Sequence, residues 1–178
     1  MRTRTLAKSL PAGLALALAL AACGSSKAPG VVTAPSAGAT QASIPTTPTV
    51  PPALSKKPVV QIPKTAPPTQ LVTKDLVTGT GKAAAAGQTI TVNYVGDLYK
   101  TGKEFDSSWS RKQTFTTALT AGSGGVIPGW VKGISGMKVG GRRELIIPPS
   151  LGYGAKGSPP TIPANSTLVF VVDLLSVS

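Results

Sequence analysis

Three clusters carry the chemistry open to this chain: Phe105-Asp106-Ser107-Ser108, Val126-Ile127-Pro128-Gly129-Trp130 and Tyr153-Gly154-Ala155. They supply aromatic and aliphatic walls, one lone carboxylate and a phenol, at the spacing of an apolar pocket that holds a proline ring. What is missing narrows the reaction. The chain has no His, so it offers no partner for a Ser- or Cys-based triad and no imidazole metal site. Its single cysteine, Cys23, has no intramolecular disulfide partner. No cofactor and no metal is expected.

A reaction that suits such a set makes and breaks no bond. Rotation about an X-Pro peptide bond faces a barrier of about 18–20 kcal/mol, because resonance gives the C–N bond partial double-bond character. The two isomers differ by only about 0.5–1 kcal/mol. The planar amide is more charge-separated than the twisted one, so an apolar pocket disfavours the ground state relative to the transition state. The Tyr153 hydroxyl is the candidate donor to a substrate carbonyl.

These residues must be held by strands and one short helix. Leu71 to Val77 alternates weakly, and Ile90, Val92 and Tyr94 share one face of a strand. Phe115 to Leu119 and Arg143 to Ile147 read as further strands. Leu168, Phe170, Val172 and Leu174 give the clearest alternation, with Val169, Val171 and Leu175 opposite, as expected for a strand covered on both faces. Pro128-Gly129 opens a helix in which Trp130, Ile134 and Met137 form one apolar face, ended by Gly140-Gly141. Strands and one helix without regular βα alternation predict an antiparallel sheet wrapped on a helix, an α+β domain.

The chain start is of another kind. Arg2, Arg4 and Lys8 precede an Ala/Leu run from Leu10 to Leu20, well short of the roughly 20 apolar residues that span a bilayer. This is the shape of a signal peptide over residues 1–22. Leu20-Ala21-Ala22-Cys23 matches a bacterial lipobox, so lipidation of Cys23 by acyl groups such as palmitate is expected. An ordinary signal peptide with a cysteine near the cut is the alternative. Residues 23–68 then form a Pro/Ala/Thr-rich tether, expected to be extended and disordered. Residues 69–178 are one domain, with all six acids and eleven of the eighteen Lys and Arg. A bacterial cell envelope location follows, lipid-anchored outside the cytoplasm. Behind a lipobox, membrane headgroups or cell-wall polymers suit the positive charge better than nucleic acid.

Within residues 71–175 the chain resembles the FKBP-type peptidyl-prolyl cis-trans isomerases. The carriers stand in order: Val92-Asn93-Tyr94-Val95-Gly96, Gly102-Lys103-Glu104-Phe105-Asp106-Ser107-Ser108, Val126-Ile127-Pro128-Gly129-Trp130, Met137-Lys138-Val139-Gly140-Gly141-Arg142, Ile147-Pro148-Pro149, Leu151-Gly152-Tyr153-Gly154, Ile162-Pro163-Ala164-Asn165 and Thr167-Leu168-Val169-Phe170. The resemblance implies a five-stranded antiparallel sheet curled around a helix over residues 129–137. It implies a pocket lined by Tyr94, Phe105, Asp106, Phe115, Val126, Ile127, Trp130, Tyr153, Ile162 and Phe170, with the Trp130 indole as floor. The Ile127 N–H becomes a second donor to substrate, and Asp106 sits at the edge, hydrogen-bonded to Tyr94. A macrolide is implied as a possible ligand. The chain departs from the family in a longer, glycine-rich stretch before Val126, in Gly125 and Thr117, and in Ser158 and Thr161 on the loop over the pocket.

Each residue also has a plainer reading. Trp130 and Phe170 could be core, Asp106 could cap a turn, and Tyr153 could simply close a loop. Gly79-Thr80-Gly81-Lys82 lacks the spacing of a phosphate loop, and Arg142-Arg143 reads as a solvated strand start. Two functions are compatible with the set: a monomeric, tethered isomerase acting on proline-containing exported polypeptides, or a membrane-tethered chaperone or adaptor that uses the same pocket to bind.

Overall fold

A computed structural model describes residues 51–178. The expected signal peptide, Cys23 and the first part of the expected tether lie outside the described residues.

Two ten-residue strands, Thr89–Leu98 (β2) and Leu168–Val177 (β6), pair antiparallel along their whole length. Their alternation is the one read from the sequence. Ile90, Val92 and Tyr94 from β2 and Leu168, Phe170, Val172 and Leu174 from β6 are buried together in the main core. Around this pair, Val72–Val77 (β1), Glu104–Ser107 (β3), Phe115–Ala118 (β4) and Arg142–Ile147 (β5) complete an all-antiparallel sheet in the order β1-β5-β6-β2-β3.

The sheet has five positions across but six strands. Both β3 and β4 pair with the edge of β2, β3 against Val95 to Asp97 and β4 against Thr89 to Val92. Ser108 closes the break between them: its hydroxyl accepts from the Tyr94 N–H at 2.9 Å, and its own N–H donates to the Tyr94 carbonyl at 3.1 Å. Residues 108–114 therefore leave the sheet as a loop beside Tyr94. The short, largely polar β3 has too little alternation to read as a strand.

One α-helix, Pro128–Ile134 (α1), crosses the concave face. Pro128 starts it, since a proline at the first position gives up no hydrogen bond. Gly129 and Gly133 let its backbone lie directly on β5: a Cβ at these positions would come 2.4 Å from Ile147 and 2.7 Å from Leu145. The helix is shorter than the expected 129–137. Gly136 turns the chain at φ +81° and donates to the Ala84 carbonyl, so Met137 is buried from beyond the helix end.

The back of the sheet supplies a correction. Val169 and Val171 are buried, as expected for a strand covered on both sides, and part of the cover is a piece of the expected tether. Residues 51–67 run as a strap over that face. Pro52–Leu54 forms a 3₁₀ turn whose Leu54 is 1% exposed. Val60 and Ile62 pack on Tyr99, Ile146 and Val169. Sparse apolar residues among prolines looked too few to fold. They suffice because an existing apolar face receives them.

Arg142 is also not a solvated strand start. It faces Asp173 across the β5–β6 ladder and pairs with it through Nε at 2.5 Å and Nη2 at 2.8 Å. Asp173 is fully buried, and the same Arg142 Nη2 donates to the Lys56 carbonyl of the strap at 2.9 Å.

Leu54→Ala should therefore cost about 2–5 kcal/mol, as for a leucine removed from a core. Equilibrium urea unfolding of the full chain measures it. A change of a few tenths would place Leu54 in a solvated tail.

Candidate functional site

The concave face leaves a cavity of about 690 Å³ at one end of α1. It is lined by Tyr94 from β2, Phe105 and Asp106 from β3, Phe115 from β4, Val126, Ile127 and Trp130 at the helix start, Tyr153, and Phe170 from β6. Nine of the ten expected lining residues thus converge from six separate stretches of chain. Ile162 is the exception: it is 4% exposed and shares the core cluster with Tyr94, Trp130 and Phe170, but it does not line the cavity.

The rings hold each other on edge. Trp130 meets Tyr94 and Phe170 with centroids 5.3 Å apart and planes at 83° and 87°, and meets Phe115 at 6.3 Å and 78°. Phe105 packs edge-on against Phe170 at 5.4 Å. Such T-shaped pairs are favoured by the ring quadrupoles and resist collapse into a flat stack. Gly96 on β2 makes the arrangement possible: a Cβ there would lie 2.7 Å from Phe170 and 2.8 Å from Phe105. The Trp130 indole N–H is buried without a partner among the described residues.

One wall is polar. The Tyr94 hydroxyl donates to the Asp106 carboxylate, as expected, and Arg111 donates both to Asp106 and, at 2.8 Å, to the Tyr94 oxygen. The guanidinium also lies 5.6 Å from the centre of the Tyr94 ring, within cation–π range. Burial, with the Asp106 carboxylate beside it, pushes the Tyr94 phenol up to about 12. Arg111 was not foreseen. Its only sequence signal is a cation five residues after the lone pocket carboxylate, on a loop with no periodicity.

Besides the Trp130 indole N–H, two further donors of the lining are uncommitted among the described residues. The Ile127 N–H, at the residue that caps α1, has no acceptor. The Tyr153 hydroxyl has none either, and Tyr153 is 40% exposed at the mouth. Burial, and then the Asp106 charge, raise its pKa above the ordinary tyrosine value, so the phenol keeps its proton at neutral pH. Gly122 and Gly125, which carry no side chains, are part of the lining.

The arrangement can grip a small apolar ring, exclude water and present hydrogen-bond donors. Comparison with known proteins points the same way. The profile of the FKBP-type peptidyl-prolyl cis-trans isomerase family matches residues 80–175. An FK506-binding protein of Streptomyces anulatus is 50% identical over 123 residues, which are 68% of this chain and 98% of that protein. An FK506-binding protein of Neisseria meningitidis serogroup A is 50% identical over 107 residues, 60% of this chain and 95% of that one. Among solved structures, FkpA from Escherichia coli superposes with a TM-score of 0.56 at 46% identity, covering 62% of this chain and 49% of FkpA, so the match spans about half of that protein. AtFKBP13 gives 0.55 at 38% identity over 62% of this chain and 95% of its own. With its pocket built and its relatives known, this chain belongs to the FKBP-type peptidyl-prolyl cis-trans isomerase family and is an enzyme of that class.

Proposed function

We propose that this enzyme is held at a bacterial membrane through lipid on Cys23 and rotates X-Pro bonds in polypeptides that have crossed it. The observation that carries the catalytic part is the cavity itself: five rings on edge around an apolar space, with the Ile127 N–H and the Tyr153 hydroxyl free as donors in its lining. A prolyl ring enters over the Trp130 indole, between Tyr94, Phe105, Phe115, Val126 and Phe170. Its preceding amide loses water and with it part of the stabilisation of the planar, charge-separated state. The Tyr153 hydroxyl and the Ile127 N–H donate to the substrate carbonyls and hold the chain while the bond turns. The Asp106 carboxylate, fixed by Tyr94 and Arg111, places a negative charge at the edge and polarises the twisting amide. No group has to exchange a proton with the substrate.

A macrolide of the class named for the relatives would occupy the same cavity. Gly122 and Gly125 offer it no side chains to bind, so its hold should be weaker than a pocket with side chains there provides. Uncatalysed prolyl isomerisation takes tens of seconds or more, which makes catalysis useful to chains folding outside the cytoplasm. Fractionation with and without inhibition of the lipoprotein signal peptidase tests the anchor: the larger, uncleaved precursor should accumulate in the membrane fraction when the peptidase is blocked, and a mature form that is unchanged by the inhibitor would contradict lipidation of Cys23.

The catalytic roles are tested on a short Leu-Pro peptide. Tyr153→Phe and Asp106→Val should each lower kcat/KM by roughly tenfold, the scale of one lost transition-state contact, with the fold unchanged by circular dichroism. Parent-like rates in both variants would remove these residues from the mechanism. Gly96→Ala should push Phe170 and Phe105 into the cavity and lower kcat/KM by on the order of tenfold or more, because catalysis is sensitive to displacements of about 1 Å. Unchanged kinetics in that variant would mean the ring positions do not matter.

A further inference from the structure

The strap over the back of the sheet reaches the pocket loop through one side chain. Lys57 Nζ pairs with Glu104 Oε2 at 2.7 Å and donates to Ser110 Oγ at 3.2 Å, and that hydroxyl donates to Glu104 Oε1 at 2.8 Å. Glu104 opens β3, two residues before Asp106. Ser110 lies in the excursion between β3 and β4, one residue before Arg111. The two ends of the segment that carries the polar wall are thus tied on the outside by a single ammonium group. On the pocket side the same segment is tied by the Arg111–Asp106 pair.

Lys57 does not hang from a free chain. On one side of it, Leu54 is buried and the Lys56 carbonyl accepts from Arg142, itself locked to buried Asp173. On the other, Val60 and Ile62 are packed on the sheet. The stretch between these anchors is short, so the ammonium group is delivered to one place with little entropy left to lose. It also meets a need there. Asp97 stands opposite Glu104 in the β2–β3 ladder, is 9% exposed and has one carboxylate oxygen without a partner. Two carboxylates that close repel each other unless a cation stands by them.

We infer that Lys57 is a positioning residue for the isomerase reaction: by clasping Glu104 and Ser110 from the strap, it holds the 104–111 segment so that Asp106 and Arg111 keep their places at the pocket edge. The inference rests on the isomerase reading of the pocket, and it gives residues 51–67 a part in catalysis beyond covering the sheet. An exposed ion pair adds little to global stability, so removing this one should act on the loop and spare the fold.

The experiment compares the full-length parent with Lys57→Met and Lys57→Arg by amide hydrogen exchange and by kinetics on the Leu-Pro peptide. The Ser110, Lys112 and Gln113 N–H groups are bonded within the loop and report its opening. In Lys57→Met these amides should exchange about tenfold faster while those of β2 and β6 keep parent rates, as expected for local opening. Its kcat/KM should fall roughly three- to tenfold. Lys57→Arg, which keeps the cation, should restore both to within about twofold. Molar salt should bring the parent toward Lys57→Met and move that variant less, since the variant has already lost the Lys57 pair.

A parent-like rate in Lys57→Met overturns the inference even if the loop loosens. Faster exchange throughout β2 and β6 also overturns it, by making Lys57 a general stabiliser. A parent with no acceleration contradicts the isomerase reading; the exchange arm still reads the clasp, and unchanged loop exchange in Lys57→Met overturns it.

Discussion

The full-length pairing of β2 with β6 is the constraint from which the rest follows. Two ten-residue strands with apolar residues on both faces cannot stay wet on either side. One face takes α1, which comes down onto β5 because Gly129 and Gly133 remove the side chains that would hold it off. The other takes the strap of residues 51–67, with Leu54, Val60 and Ile62 turned inward. The sheet also fixes the strap through polar groups, since the buried Asp173 carboxylate needs Arg142 and Arg142 in turn bonds the strap backbone. Removing one partner of a buried pair leaves an uncompensated charge, which ties sheet and strap into one unit.

The pocket is what the concave face cannot fill. Its rings are large, and the edge-to-face contacts around Trp130 set their spacing. Gly96 adds the space that lets Phe105 and Phe170 meet over β2. The polar wall depends on the break between β3 and β4. A continuous strand would keep residues 108–114 in the ladder, whereas the break lets Arg111 fold back over Tyr94 and bind Asp106. Function here is a matter of dry space and a few fixed dipoles, which explains why a chain without His, and with its single cysteine far from the pocket in sequence, carries an enzyme's site.

Much of this was written in local patterns. The period-two alternation of Ile90, Val92 and Tyr94 and of Leu168 to Leu174 marks the central strands because side chains on a strand alternate faces, and Pro128-Gly129 marks the helix start. Nine of the ten residues that the family resemblance implied for the pocket do line the cavity. Other features depend on what lies across space. Arg142 looked like a surface cation because its partner Asp173 is thirty-one residues away, and Arg111 sits on a loop without a period. The strap is hidden from composition, which reports how much apolar surface a segment has and not whether a face waits for it. The helix end is hidden because Met137 keeps the helical spacing although Gly136 has already turned the chain. Ile162 lies in the same core cluster as Tyr94, Trp130 and Phe170 but does not reach the cavity.

The central claim is that a dry, ring-walled pocket turns the X-Pro bond without chemistry on it. The most direct measurement is kcat/KM for a Leu-Pro peptide in light and heavy water with the full-length chain. The account predicts clear acceleration over the uncatalysed rate with a solvent isotope ratio near one, because desolvation and fit carry the barrier. No acceleration, or a ratio of roughly two or more as expected when a proton moves in the transition state, would contradict it.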